Sequence, residues 1–137
     1  MPYARLLYHA IWAMKDRDPI IDDAMSAAIR EAIEQTSAKI DVTIFGVGIM
    51  PEHVHVFAHI PPAVSVASVI GRWKGASSHA ANEVRSEVSG ILAWQSGYGV
   101  LSVSHSGFDR VMDYVQNQRE RHAAREVYGV MERSEDA

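Results

Sequence analysis

Apolar positions alternate with polar ones in some stretches of this chain and recur every three or four residues in others, and the order of those rhythms predicts its architecture. Residues 3 to 15, rich in Tyr, Leu, Ile and Trp, read as a strand that Asp16-Arg17-Asp18-Pro19 ends. Met25, Ala28, Ile29, Ala32 and Ile33 then fall on one face of a helix over about 23 to 36, with Asp22 or Asp23 available as its cap. Lys39 to Met50 is β-branched and alternating, Pro51-Glu52 reads as a turn, and His53 to Ile60 as the returning strand of a hairpin. Pro61-Pro62 stops that strand, because proline lacks the ladder donor and fixes φ. Ser65 can cap a long helix to about Ser86, with Val66, Val69, Ile70 and Trp73 as its apolar stripe. Ile91 to Ser104 is aromatic and β-branched, with a bend or bulge at Gln95-Ser96-Gly97. A last helix is predicted from about Gly107 to Arg121 or beyond, packing through Phe108, Val111, Met112 and Val115.

The predicted order is β-α-β-β-α-β followed by α, an α+β chain of the split β-α-β type, also called ferredoxin-like or RRM-like. Such a fold pairs its first and third strands at the centre of an antiparallel sheet. Its helices cover one face and leave the other open to a ligand. With 137 residues the chain is long enough for one two-layer core, so residues 1–125 are read as a single domain and the acidic stretch 126–137 as a flexible tail.

Composition narrows the chemistry. The chain has 47% hydrophobic and 22% charged residues, as a globular protein does, and no apolar run long enough to span a bilayer. It contains no cysteine, which removes disulfides, thiolate metal sites and cysteine nucleophiles and leaves His, carboxylates and amides as ligands. The opening Met1-Pro2-Tyr3-Ala4-Arg5 lacks the pattern of a signal peptide, so a cytoplasmic location is expected. A net charge of −4 argues against indiscriminate binding to polyanions. Between residues 70 and 125, however, seven Arg or Lys stand against five acids, enough for a local basic surface.

Candidate chemistry gathers at two places. His53 and His55, two residues apart on a predicted strand, point the same way with Cα atoms roughly 6.6 Å apart, close enough to converge on one metal ion. Val54 between them faces the opposite, apolar side. On its own the pair reads more simply as two half-buried or surface strand residues; if it is a metal site, a third ligand must come from elsewhere, because His59 lies roughly 13 Å along the strand from His55. On the last helix, Tyr114 and Gln118 are four residues apart and share a face lying to the side of the packing stripe, with Arg110 and Arg121 nearby. Alone, that tyrosine reads as an interface aromatic and that glutamine as a surface amide. A phenol with a pKa of about 10 is a weak nucleophile at neutral pH unless a nearby cation polarises its target, so the two places mean more together.

Several features combine at this point: Pro51-Glu52-His53-Val54-His55, the Pro-Pro turn, Lys74-Gly75, the run Trp94-Gln95-Ser96-Gly97-Tyr98-Gly99, and Tyr114 followed by Gln118. With Tyr8-His9 and Trp12 to Lys15 on the first strand, they resemble the single-tyrosine HUH transposases of small bacterial insertion sequences, over roughly residues 3 to 122. The resemblance implies that His53, His55 and Gln118 hold Mg²⁺ or Mn²⁺. It implies that Tyr114 attacks single-stranded DNA, forming a 5′-phosphotyrosine link and freeing a 3′-hydroxyl. It also implies a homodimer that recognises DNA hairpins at element ends, in which the tyrosine helix of one subunit can complete the site of the other; Gly107 would be a suitable hinge. Arg72, Lys74, Arg110, Arg119 and Arg121 are candidates for phosphate contacts. The charge of −4 and the extra imidazoles His59 and His105 depart from the family pattern. The alternatives are a domesticated or inactive relative that grips a nucleic-acid hairpin without cutting it, and a small metal-binding sensory domain.

Overall fold

The computed structural model of the chain describes residues 3–88 and 90–117. Four strands and three helices follow one another in the order β1 (Leu7–Ala13), α1 (Asp23–Lys39), β2 (Thr43–Ile49), β3 (His53–His59), α2 (Val66–Val84), β4 (Gly99–Val103) and α3 (Phe108–Gln116). The strands form one antiparallel sheet in the order β2-β3-β1-β4, which places β1 and β3 at its centre as the element order predicts.

Local sequence accounts for most element boundaries. The Asp22 carboxylate accepts the backbone N–H of Met25 at 2.8 Å, and the Ser65 hydroxyl accepts that of Ser68 at 3.2 Å, so both long helices start where a capping side chain satisfies an otherwise unpaired donor. The Pro51-Glu52 turn closes the β2–β3 hairpin, with Met50 N–H donating to the His53 carbonyl at 2.9 Å. The first strand is shorter than predicted. Asp16 and Arg17 take left-handed φ values of 57° and 54°, which turn the chain away from the sheet, and residues 3–6 carry no regular element. The stretch 91–104 is likewise divided: Trp94 pairs singly with Met14, and the ladder with β1 resumes only at Gly99. The intervening Gln95-Ser96-Gly97 forms the bend that the sequence marks.

Alternation along the central strands separates two layers. Ala10 and Trp12 of β1 and Val54, Val56 and Ala58 of β3 face α1 and α2, meeting Met25, Ile29, Ile33, Val69, Ile70 and Trp73 in the main core. Trp12 stacks on Trp73 with ring centroids 6.2 Å apart, and the Trp73 indole N–H donates to the Ser37 hydroxyl at 2.8 Å, joining the two helices. Each large side chain fully buried there contributes about 1.5–3 kcal/mol.

The opposite face is not left open. Helix α3 packs across β2 and β3, and Val111, Tyr114 and Val115 join Leu7 and Phe57 in a second, smaller core edged by Phe45, Val103, Phe108 and Met112. A break in register between Ile44 and Gly46 brings Gly46 under the helix, where a Cβ would lie 3.4 Å from Val115 Cγ1 and 3.6 Å from Met112 Sδ. The expectation of a bare sheet face is therefore corrected, because the rings of Phe45 and Phe57 and a glycine on that side build a seat for the last helix. Among the described residues, no helix is long and apolar enough to cross a membrane.

Candidate metal and tyrosine site

The second face of the sheet is apolar at one end and carries imidazoles at the other. Along β3, the residues opposite Val54 and Val56 are His53, His55 and Phe57, and both histidines are buried, at 1% and 0% exposure. Their rings lie 5.0 Å apart at 75° to each other. His53 Nδ1–H donates to Glu52 Oε1 at 2.8 Å. The preceding turn thus supplies the partner of the ring that follows it.

A third imidazole enters from β1. In the β1–β3 ladder His9 stands opposite Phe57 and Ile11 opposite His55, so His9 and His55 are diagonal neighbours on one face. His9 Nε2 and His55 Nδ1 are 2.7 Å apart, with the rings nearly parallel at 18° and their centroids 4.9 Å apart. His9 is 2% exposed. Sequence reasoning gave it no role; the signal available was its place in the alternation Leu7, His9, Ile11, and its partner became visible only with the register.

Tyr114 closes this patch from α3. Its ring centroid is 5.7 Å from that of His55 and 6.2 Å from that of His9, edge-on to both. With 1% exposure it lies within the buried face of the helix beside Val111 and Val115, not on a separate side as the helical angles predict. The reason is the breadth of the contact: α3 rests across two strands, so its buried arc is wide enough to take in position 114 along with the apolar stripe.

The remaining predicted residues are scattered. Gln118, Arg119 and Arg121 lie outside the described residues. Arg72 is exposed on α2 and Arg110 on α3, and these helices pack on opposite faces of the sheet. Lys74 turns inward: its ammonium donates to the carbonyls of Gln95, Ser96 and Gly97 at 2.8, 3.3 and 3.1 Å and shapes the bend before β4. His59, too distant from His55 to share an ion, accepts the Leu6 N–H at Nδ1, 3.1 Å away, while His105 is exposed in a 3-10 turn before α3. Gly107, at φ −89°, starts α3 in a conformation open to any residue.

The donor chemistry fits a divalent ion. His53 and His55 each have Nδ1 held by a neighbour, Glu52 or His9, which is how ligating histidines are oriented to present Nε2. Among the described residues no group of three or more His, Cys, Asp or Glu converges as a metal site, so a cation held by this pair needs a ligand besides the described histidines and carboxylates. Two imidazoles and an amide suit Mn²⁺ better than Mg²⁺, which prefers oxygen and keeps water in its remaining positions.

The family described as "Transposase IS200 like" matches residues 3–118. The ISDra2 transposase TnpA of Deinococcus radiodurans is 22% identical over 121 residues, 85% of this chain and 86% of that protein. The transposase for insertion sequence element IS200 of Salmonella typhimurium is 26% identical over 117 residues, 82% of this chain and 76% of that protein. In fold, the chain is similar to a crystal structure assigned as a transposase from Deinococcus radiodurans R1, with a TM-score of 0.67 at 23% identity over 85% of this chain and 93% of that one. It is also similar to a REP-associated tyrosine transposase bound to a REP hairpin, with a TM-score of 0.67 at 15% identity over 100% of this chain and 91% of that one. With the family match spanning all but the ends of the sequence, the chain belongs to the IS200-like transposase family.

Proposed function

We propose that this chain cleaves and rejoins single-stranded DNA next to a hairpin, with Tyr114 as the nucleophile and His53, His55 and Gln118 as ligands of Mg²⁺ or Mn²⁺. The observation that carries this reading is the meeting of Tyr114 with the buried histidines: Tyr114 and His55, 59 positions apart in sequence, are both buried with rings 5.7 Å apart. Support for the DNA partner comes from the family and from the hairpin held by the similar REP-associated transposase.

In the proposed reaction the Tyr114 phenolic oxygen attacks a backbone phosphorus, forming a Tyr–O–P bond as the P–O3′ bond breaks. The phenol loses its proton, and the departing 3′ oxygen takes one up as a 3′-hydroxyl. A 3′-hydroxyl later attacks the 5′-phosphotyrosine, restoring a phosphodiester and the free phenol without external energy, since the covalent link keeps the bond's free energy. A cation held by His53, His55 and Gln118 would supply charge neutralisation and polarisation of the scissile phosphate. Glu52 holds the His53 ring, and the docking of α3 holds the tyrosine against the sheet. Because α3 rests on its own chain's sheet, the arrangement supports a nucleophile acting beside histidines of the same subunit. The homodimer implied by the resemblance belongs to this reading too, and the mass of the protein in solution tests it.

The decisive experiment is covalent capture. Incubated with Mn²⁺ and a labelled single-stranded hairpin carrying its flanks, the protein should yield a protein–DNA adduct stable to denaturation, and Tyr114→Phe should yield none. An adduct that survives Tyr114→Phe would refute the nucleophile assignment. Hairpin binding without an adduct, over a range of flanking sequences, would identify a binding module that does not cut.

A further inference from the structure

We infer that His9 is a positioning residue for the metal ligand His55, accepting the Nδ1–H of that ring so that the Nε2 lone pair is left for the cation. This rests on the reading above that His53 and His55 bind a divalent ion.

The contact is built into the backbone. The pairing of His9 with Phe57 and of Ile11 with His55 puts the two imidazoles on a diagonal of the central ladder, where neighbouring side chains on one face come within reach. Both rings are buried, at 2% and 0% exposure, and their nitrogens are 2.7 Å apart. At that distance between two neutral imidazoles, one nitrogen carries the shared proton and the other receives it. A cation at His55 Nε2 needs the lone pair there, so the neutral His55 ring carries its proton at Nδ1 and His9 Nε2 is the acceptor.

His9 is thereby set apart from the ligands. Its Nε2 is directed at His55, and among the described residues the histidines and carboxylates do not converge as a three-ligand site. It does for His55 what Glu52 does for His53, with one difference in charge. The Glu52 carboxylate, 2.8 Å from His53 Nδ1, increases the basicity of its ring, whereas a neutral imidazole orients His55 without adding negative charge near the phosphate under attack. The two ligands are therefore held with similar geometry but unequal donor strength. His9 also lies edge-on to Tyr114 at 6.2 Å, which makes a direct role at the tyrosine the natural rival.

Two measurements on metal-free and Mn²⁺-titrated protein separate these roles. Nitrogen NMR of the histidine rings should find His55 protonated at Nδ1 in the metal-free wild type. That form should be lost in His9→Phe, which keeps the ring volume without the acceptor, and regained in His9→Gln, whose amide oxygen can accept. The Mn²⁺ dissociation constant, read by titration without DNA, should rise about 10- to 100-fold in His9→Phe and return near the wild-type value in His9→Gln. If His9→Phe fails to fold, His9→Leu removes the acceptor with a smaller side chain. Unchanged Mn²⁺ affinity and an unchanged His55 tautomer in a folded variant would overturn the inference, and a fall in adduct formation alone would then assign His9 to Tyr114. Wild-type protein that takes up no Mn²⁺ at these histidines would instead remove the metal reading, while a His55 protonated at Nε2 in the metal-free protein would refute the His9 role separately.

Discussion

The two faces of the central strands share a backbone but differ in what they bury. Towards α1 and α2, Trp12, Val54, Val56 and Trp73 pack with apolar neighbours, and their arrangement needs only volume and fit. Towards α3, the same strands present His9, His53 and His55, whose ring nitrogens must be matched with Glu52 and with each other before burial becomes tolerable. The first face holds the fold together, and the second is held in place by it. A buried polar cluster of this kind is tolerated only while its members stay paired, which makes it more sensitive to substitution than the apolar face.

The comparison predicts that substitutions on the two faces fail in different ways. The largest effect is expected on the histidine face: His53→Ala or His55→Ala should reduce adduct formation to background while hairpin affinity changes little, because phosphate and base contacts dominate DNA binding. Equal loss of hairpin affinity in a gel-shift titration would show that the histidines bind DNA or support the fold. On the helix face, Trp12→Ala should cost about 3–5 kcal/mol in urea unfolding, a large part of a domain's stability, while the fraction still folded forms adduct normally. A folded Trp12→Ala protein unable to cleave would break the division between the faces.

A smaller change probes the seat of α3. Gly46→Val places side-chain atoms against Val115 and Met112 and should cost about 1–3 kcal/mol. Hydrogen exchange should rise in α3 while β1 and β3 remain protected, and adduct formation should fall with the helix's protection; uniform loss of protection would mean that the second core is not a separable unit. The smallest effect is expected far from the site. Asp22→Ala removes the α1 cap at a cost of about 1 kcal/mol and should leave cleavage per folded molecule unaltered.

Much of the fold is legible in the sequence. The caps at Asp22 and Ser65, the hairpin turn at Pro51-Glu52 and the alternation of β3 rest on interactions within a few residues, so the chain displays them directly. His53 and His55 share a face for the same reason. Less legible were features that depend on partners far along the chain. Lys74, a candidate phosphate contact by sequence, also donates to three carbonyls of the bend near Trp94, and His59, an imidazole outside the family pattern, accepts the Leu6 N–H. Tyr114 was set beside the packing stripe, because helical angles do not tell how broad a surface the helix will meet.

By itself, the sequence determined the order of strands and helices, the burial of one face of each, and the pairing of two imidazoles two residues apart, since period and capping are local properties of the backbone. Only the tertiary structure decided that β1 meets β3 in the register that brings His9 to His55, and that α3 lies across the second face with Tyr114 against both. Register and docking follow from the simultaneous fit of many distant side chains, and a site that spans three elements comes into being with that fit.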